Sequence, residues 1–332
     1  MSAEKKIYKD VVIMRLILIL LLIIYHSFAP FCGGWEQIGD SFIPVYFYIG
    51  KISYSFFLEA FVFISGLLVG YQATKVPIKE RGPEFIVKKA KRLMIPSIIF
   101  SIIYFYCFYT YKDIYTFCNS IFNGCGHLWF LPMLFWCFVL LWIIGKLNIK
   151  PLTIIVIAIA MALLSNGALP LRFGITMFYF IFFLLGYYIT SGKLKMLKKC
   201  TAVSSTIYLT LFIIFFFINI ESDFNGISGF IINHITRLLS SFGGVMLCYT
   251  ITNRYISDNT KLPDILVVFS NYSFGIYIIQ QFILKYLYYY TDLPYEAGYA
   301  LIPWIGCGAA MISSTLITHF SLKTKAGKFL IG

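Results

Sequence analysis

Two ionisable residues, Arg15 and His26, lie in an apolar run that extends from Val11 to Phe28. A charged side chain at the centre of a bilayer costs about 2.5–3.5 kcal/mol on insertion scales, so its presence there indicates a function or a specific partner. Eleven residues make about three helical turns, so the two side chains share one face, roughly 16 Å apart. The spacing predicts a helix face with a fixed cation near one end and a titratable imidazole near the other.

The chemistry available to His26 is proton transfer. An imidazole titrates near neutral pH and can serve as general base for a hydroxyl, although a single membrane histidine is equally often a packing residue. Glu59 lies in the second apolar run, FFLEAFVFISGLLVG. Because the second helix runs antiparallel to the first, Glu59 and His26 are expected at similar depth. We predict that Glu59 pairs with the imidazole and orients it. The alternative is a carboxylate that lines a hydrated vestibule.

Only two connecting segments are long, an outer one from Phe31 to Lys51 and an inner one from Ala73 to Arg92. The inner segment ends in an amphipathic, basic run that leads directly into the third apolar run. Lys89 and Arg92 are three residues apart and therefore share a helix face. Clustered cations at a helix entrance suit the phosphates of a nucleotide-bearing donor. The alternative, which charge alone favours, is anchoring at lipid headgroups.

Further polar residues are expected in the outer halves of the apolar runs, where they could contact a substrate. His234 and Arg237 are three residues apart, and Arg237 cannot lose its charge. His127 and Trp129 begin another run, and an interfacial aromatic is the simpler explanation for Trp129. Gln280 could equally form a hydrogen bond between helices.

The composition places the chain in a membrane. Of its 332 residues 60% are hydrophobic and 12% are charged, and the mean hydropathy is +0.82, which is too apolar for a soluble domain. We therefore predict an all-α, polytopic membrane protein that forms a single domain over residues 1–332. Runs long enough to cross about 30 Å of hydrocarbon predict about ten helices, at 11–30, 52–72, 93–111, 127–145, 151–168, 173–191, 201–220, 230–252, 265–290 and 299–320.

The basic residues set the predicted topology. A net charge of +13 could indicate nucleic-acid binding, but the basic residues lie between the apolar runs and not along one face. With the N-terminus inside, 21 of the 27 Lys and Arg residues fall on the cytoplasmic side. We therefore predict that both termini are cytoplasmic and that nucleic acid is not a partner. The first run has no small-residue cleavage site and is interrupted by Arg15, so we expect it to remain as a helix.

The cysteines and histidines do not form a metal-binding pattern. The eight cysteines include no CxxC pair and no Cys/His spacing typical of a metal site, so we expect packing residues and no metal. A disulfide between Cys118 and Cys125 in an outer loop is an open alternative. No phosphate-binding loop, GxSxG turn, HExxH motif or paired-carboxylate glycosidase signature is present.

Five motifs follow one another along nearly the whole chain. They are Arg15 with His26, Phe56-Phe57 through Ser65-Gly66, Lys89-Ala-Lys-Arg92 with Leu93 and Pro96, the HLWFL stretch at 127–131, and the NYSFGIY stretch at 271–277 with Tyr272 and Ser273. Together they resemble the motifs of the integral-membrane acyltransferases of family 3. Two positions depart from the family pattern: Lys89 replaces an arginine, and Gln280 stands where many members have a histidine.

The resemblance implies transfer of an acyl group, most often acetyl, from cytoplasmic acyl-CoA to a hydroxyl of a cell-surface glycan or its lipid-linked precursor. It implies an enzyme of the cell inner membrane with His26 as the base. We expect Lys89, Arg92 and Arg15 to bind acetyl-CoA, and Tyr272 and Ser273 to join the acceptor-binding residues. Direct attack by the acceptor and an acyl-histidine relay both remain open.

Two other classes of protein fit the intramembrane charges. A polysaccharide or lipid-linked precursor exporter also places charges on short-looped helices, typically around broken helices or paired repeats. The sequence shows neither feature clearly, although Gly66, Gly70 and Gly275 could break helices. A catalytically inactive sensor or assembly subunit is the third alternative, and the presence of Arg15 and His26 disfavours it.

Overall fold

The structure is a computed structural model that describes residues 8–39, 42–110, 113–147, 149–167, 169–194, 197, 200–221, 226–255 and 262–332. Within these residues the chain is helical and has no strand, which confirms the all-α prediction. The helices are α1 (Lys9–Phe28), α2 (Pro44–Tyr54), α3 (Phe57–Ala73), α4 (Glu84–Phe108), α5 (Ile114–Asn123), α6 (Phe130–Lys146), α7 (Pro151–Leu163), α8 (Phe173–Thr190), α9 (Ala202–Glu221), α10 (Gly226–Tyr255), α11 (Asp264–Tyr289), α12 (Leu293–Ala297), α13 (Ile302–Ser321) and α14 (Lys325–Ile331).

A helix occupies each of the ten predicted spans, and eight helical segments among the described residues are long and apolar enough to cross a membrane. The protein is therefore a multi-pass membrane protein. Helix α7 has 13 residues, which is about 20 Å and too short to span the hydrocarbon alone. Helix α13 has 20 residues but carries several Gly, Ser and Thr residues. The cytoplasmic position of both termini stays a prediction.

Several surface helices fall where the sequence predicts loops. Helix α2 begins at Pro44 and occupies much of the outer segment, because proline is well tolerated in the first turn of a helix. The amphipathic inner run is the start of α4, as expected. We call the end of the bundle that carries this run inner and the opposite end outer.

Seven of the basic residues used for the topology lie outside the described residues: Lys5, Lys6, Lys112, Lys195, Lys198, Lys199 and Lys261.

Helix α1 lies at the centre of the bundle, where it packs against α2, α3, α10, α11 and α13. Its apolar side chains Met14, Leu18 and Ile23 are fully buried. Helix α9 has the opposite environment, since its only buried side chain among the described residues is Phe216. The outermost helix therefore presents its apolar side chains to lipid, whereas α1 contributes to the interior on several sides.

Helices α3 and α8 pack backbone to backbone at two glycines. A Cβ on Gly66 would overlap the carbonyl oxygen of Phe183, and a Cβ on Gly186 would overlap the carbonyl oxygen of Phe63. Small residues are common where membrane helices approach closely, because lipid tails provide little hydrophobic drive and close packing must replace it. The two glycines thus fix α3 in position against α8.

We expect Gly66→Val to destabilise the protein, because the new side chain would force α3 and α8 apart. Overpacking of a close contact costs on the order of 1–3 kcal/mol. The midpoint of thermal unfolding in detergent should fall accordingly. Gly308→Val is the matched control, since a Cβ at Gly308 in α13 meets no other atom within 4 Å. Equal stability of the two variants would contradict this account of the packing.

Candidate active site

His26 lines a cavity of about 500 Å³ at the outer end, which we call the outer chamber. Helix α11 supplies Tyr277, Gln281 and Lys285 to the same cavity. These positions are separated by four residues each and therefore lie on one helix face. The other lining residues are Leu22, Tyr25, Gly34, Trp35, Tyr54, Phe57, Leu58, Tyr104, Phe108, Tyr109, Gly126, His127 and Trp129.

The imidazole of His26 is held on two sides. Its Nδ1 lies 2.8 Å from Nε2 of Gln280, whose side chain is fully buried behind the chamber. Its ring stacks on Trp35, with 5.6 Å between ring centroids and 19° between the planes. The Nζ of Lys285 lies 5.1 Å from the centre of the Trp35 ring, a distance typical of a cation–π contact. The ring orientation of His26 is therefore set by Gln280 and covered by Trp35.

The Gln280 amide determines which nitrogen of His26 carries the proton. With Nε2 of Gln280 towards the imidazole, the amide donates to Nδ1 and the His26 proton resides on Nε2. Rotation of the amide by 180° keeps its shape and exchanges its oxygen and nitrogen. Oε1 of Gln280 is buried and has no partner among the described residues. In the rotated form it would accept a hydrogen bond from Nδ1–H and leave Nε2 of His26 free to accept a proton.

A second histidine, His127, is fixed beside the first, with 6.1 Å between the ring centroids. The backbone N–H of His127 donates to Oε1 of Gln281 at 3.0 Å, and Nδ1 of its ring also contacts this oxygen. Nε2 lies 3.0 Å from the carbonyl oxygen of Ile278, and the hydroxyl of Tyr277 donates to the carbonyl oxygen of His127 at 2.6 Å. His127 is thus bonded to α11 and positions the wall of the chamber.

Glu59 does not pair with His26, contrary to the sequence-based prediction. Its Oε1 lies 3.4 Å from Nη2 of Arg237, and this is the only ion pair among the described residues. Arg237 also donates to the hydroxyl of Tyr179 at 3.1 Å. Equal depth in the membrane does not by itself select the partner of Glu59. Helix α3 also contacts α10, and that helix carries an arginine at this level.

A second cavity, of about 460 Å³, lies at the inner end; we call it the inner cavity. Its cations are Arg15, Lys89 and Arg92, and its described lining has no Asp or Glu side chain. Arg15 has no hydrogen bond or ion pair among the described residues. Lys89 packs over the ring of Phe138 at 4.1 Å. Deeper in the cavity the lining is mainly apolar, including Phe61, Ile64, Leu68, Leu131, Leu134 and Phe274.

The two cavities meet at a shared wall of three side chains, Leu22, Leu58 and Tyr277. Leu22 lies one helical turn before His26 and two turns after Arg15. One face of α1 therefore carries the cation, the wall and the imidazole in succession, as the eleven-residue spacing predicts. We call these three residues the partition.

The comparisons with known proteins fit this arrangement. The family model for an acyltransferase domain matches residues 8–319, which is almost the whole chain. The chain belongs to the acyltransferase 3 family. No curated protein and no solved structure matches it. Family membership establishes a membrane acyltransferase and disfavours an exporter.

Only some of the other predicted acceptor-binding residues of the acyltransferase lie in the outer chamber. Trp129 lines the outer chamber, but Ser273 lines the inner cavity instead. His234 lines neither of these two cavities, and its ring nitrogens lie 2.9 and 3.1 Å from the carbonyl oxygens of Phe230 and Ser165. The hydroxyl of Tyr272 lies 2.7 Å from Nδ1 of His319, near the inner end. The structure thus does not bring His234, Tyr272 and Ser273 to the outer chamber.

Trp35, Lys285 and Tyr54 are among the chamber residues for which the sequence gives no site prediction. The nearest signal in the sequence is the pair of glycines before Trp35, because Gly33 has φ +75° and turns the chain back over α1.

A disulfide between Cys118 and Cys125 is not formed, and each of the eight cysteines is free. No group of three metal-ligating side chains occurs among the described residues.

We expect Gln280→Met to lower the maximal rate of acyl transfer by about tenfold, the value of one hydrogen bond of roughly 1.4 kcal/mol. The affinity for acyl-CoA should not change, since Gln280 does not line the inner cavity. Gln280→Glu should restore most of the rate, because a carboxylate can accept a proton from Nδ1. If both variants reduce the rate equally and lower the unfolding temperature equally, Gln280 only packs α11.

Proposed function

We propose that this acyltransferase moves an acyl group from a cytoplasmic acyl-CoA, in the first instance acetyl-CoA, to a hydroxyl of a surface glycan or its lipid-linked precursor. The observation that supports it is the partition between the inner cavity with three cations and the outer chamber with His26. A donor with an anionic head and a neutral reactive end fits such a pair of cavities. The proposed location is the cell inner membrane, with both termini and the inner cavity facing the cytoplasm.

The inner cavity has the charge that the nucleotide end of CoA requires. Arg15, Lys89 and Arg92 contribute three positive charges without a carboxylate side chain in the described lining. Phosphate oxygens form strong charge-assisted hydrogen bonds with such groups, and the lysine supplies a point charge where an arginine would supply a planar fork. Lys89 also packs over the ring of Phe138, so the same side chain would contribute to packing and to donor binding.

The neutral end of the donor suits the apolar depth of the inner cavity. Phe61, Leu134 and Phe274 line this part, and the partition closes it. Displacement of the Tyr277 or Leu58 side chain would bring the thioester from the inner cavity to the level of His26. The nucleotide stays at the inner end, because moving its charges through the partition would leave them without water or cations.

In the outer chamber His26 would act as general base on the acceptor hydroxyl. The reactive form has the Gln280 amide rotated, so that Oε1 accepts a hydrogen bond from Nδ1–H and Nε2 is unprotonated. Nε2 then takes the hydroxyl proton while the hydroxyl oxygen attacks the thioester carbonyl carbon; the C–O bond forms, the C–S bond breaks, and the CoA thiolate leaves. The imidazolium then returns its proton to the thiolate. In the alternative route Nε2 attacks the thioester carbonyl carbon and the CoA thiolate leaves. In a second step the acceptor oxygen attacks the acyl carbon, the C–N bond breaks, and the hydroxyl proton passes to the thiolate. Gln280 orients the ring in either route.

We expect His26→Ala to reduce acyl transfer by about 10²–10⁴-fold, the range typical of a general base. Acyl-CoA binding should be unchanged, because His26 is absent from the lining of the inner cavity. Transfer is measured with purified protein in detergent and radiolabelled acetyl-CoA, with extracted surface glycan as acceptor. His234→Ala is the matched control, since it also removes a histidine from the outer half of the bundle. Full transfer by the His26→Ala protein would refute the proposed mechanism.

We expect Lys89→Ala and Arg92→Ala each to weaken acetyl-CoA binding by about tenfold or more, the loss of a charge-assisted hydrogen bond of roughly 1.5–3 kcal/mol. The maximal rate should change less than the affinity. Lys91→Ala is the matched control, because Lys91 lies on the same helix but does not line the inner cavity. If all three variants bind acetyl-CoA with native affinity, the basic run sets topology only.

A further inference from the structure

A third cavity, of about 320 Å³, adjoins the outer chamber, and we call it the side pocket. Glu59 and Arg237 lie in it, together with Lys51 and Asn219. Its remaining lining residues are Phe47, Tyr54, Ser55, Tyr179, Phe216, Ile220 and Ser240. Its size is at the small end of ligand pockets, which suits one compact group rather than an extended chain.

The carboxylate of Glu59 is incompletely satisfied. The residue is 2% exposed, and its Oε1 has a long contact of 3.4 Å with Arg237. Its Oε2 is buried and has no hydrogen bond partner among the described residues, because the nearby hydroxyl of Ser241 donates to the carbonyl oxygen of Ser55 instead. A buried polar atom without a partner is destabilising, and more so when it is charged. Because Glu59 lines the side pocket, rotation of its carboxyl group would bring this oxygen to a ligand that donates a hydrogen bond.

Arg237 offers the complementary groups. Its side chain is 41% exposed although the residue lies within a membrane-spanning helix. The hydrogen bonds that it forms with Glu59 and Tyr179 use only Nη2. Its guanidinium lies over the ring of Phe178 at 4.1 Å, which fixes the plane of the group. The other N–H groups can donate to ligand oxygens, as can the side-chain amide of Asn219.

The combination of these groups disfavours a cation and suits a ligand with several hydroxyls. A cation would meet Lys51 and Arg237, which outnumber the single carboxylate of Glu59. A hydroxyl can donate to Glu59 and accept from Arg237 at the same time. The rings of Phe47, Tyr54 and Phe216 provide apolar surface for the C–H faces of a sugar ring.

The side pocket and the outer chamber share an aromatic boundary. Tyr54 lines both cavities and stacks on Tyr25 with 4.4 Å between ring centroids. Tyr25 in turn lies beside His26, with centroids 5.1 Å apart. A ligand that extends past Tyr54 can therefore occupy the side pocket while another part of it lies at His26.

We propose that the side pocket binds the sugar unit adjacent to the one that is acylated, so that the acyltransferase recognises at least two units of its acceptor. This inference rests on the proposed glycan acceptor. Glu59 is then a recognition residue for the acceptor, with a hydroxyl of the second unit donating to Oε2. Arg237 and Asn219 donate to oxygens of the same unit.

The experiment compares the affinity of the protein for single sugar units with its affinity for disaccharides. The probes are the methyl glycosides of glucose, galactose, N-acetylglucosamine and rhamnose, and the disaccharide made from two units of each. Their affinities are measured by titration calorimetry with the purified protein, followed by transfer from radiolabelled acetyl-CoA. At least one disaccharide should bind about tenfold more tightly than its single unit. Glu59→Gln and Asn219→Ala should each remove most of this gain and leave the single-unit affinity and acetyl-CoA affinity unchanged.

Asn253→Ala is the matched control, because Asn253 lies on α10 near the inner end and lines none of the three cavities. The inference is overturned if no disaccharide in the set binds more tightly than its single unit. It is also overturned if both variants weaken single units and pairs equally while the protein remains folded. A native gain with disaccharides together with full transfer by His26→Ala would refute the proposed catalysis but not the side pocket.

Discussion

The hydrogen bond between Gln280 and His26 joins α11 to α1, and the arrangement of the outer chamber depends on it. Its two residues are 254 positions apart in the chain, and both are buried. The bond forms only at the rotation of α1 that its packing against five helices sets. Leu22 and Arg15 share the face of His26, so the same rotation directs Arg15 towards the inner cavity and Leu22 towards the partition.

Helix α3 divides the outer end into two compartments. Leu58 lines the outer chamber and the inner cavity, whereas the next residue, Glu59, lines the side pocket. Consecutive residues on a helix point about 100° apart, so a single helix can serve both sides only if its rotation is fixed. The backbone contact between Gly66 and α8 provides that restraint. Packing at the middle of α3 and recognition at its outer end are therefore coupled.

The sequence predicts the helices well because membrane hydrocarbon imposes length and apolarity on each of them. The shared face of Arg15 and His26 follows from helical periodicity alone. The partner of Glu59 does not follow from periodicity. The depth of Glu59 restricts its partner to one level of the membrane but not to one helix, and Arg237 lies 178 residues away in the chain. Helix α2 is not predicted as a separate helix, because α2 and α3 together form one apolar stretch, Pro44–Ala73. Hydropathy does not mark the boundary between the two helices.

The thinness of the partition has an electrical consequence. Each cavity reaches the same three side chains from its own end of the bundle, so when water fills both cavities the insulating layer between them is thinner than the bilayer. A membrane voltage falls mainly across the least conducting layer, and 100 mV is worth about 2.3 kcal/mol for each elementary charge that crosses it. The field is therefore concentrated at Leu22, Leu58 and Tyr277, where it opposes or assists any charged group but leaves an uncharged one unaffected.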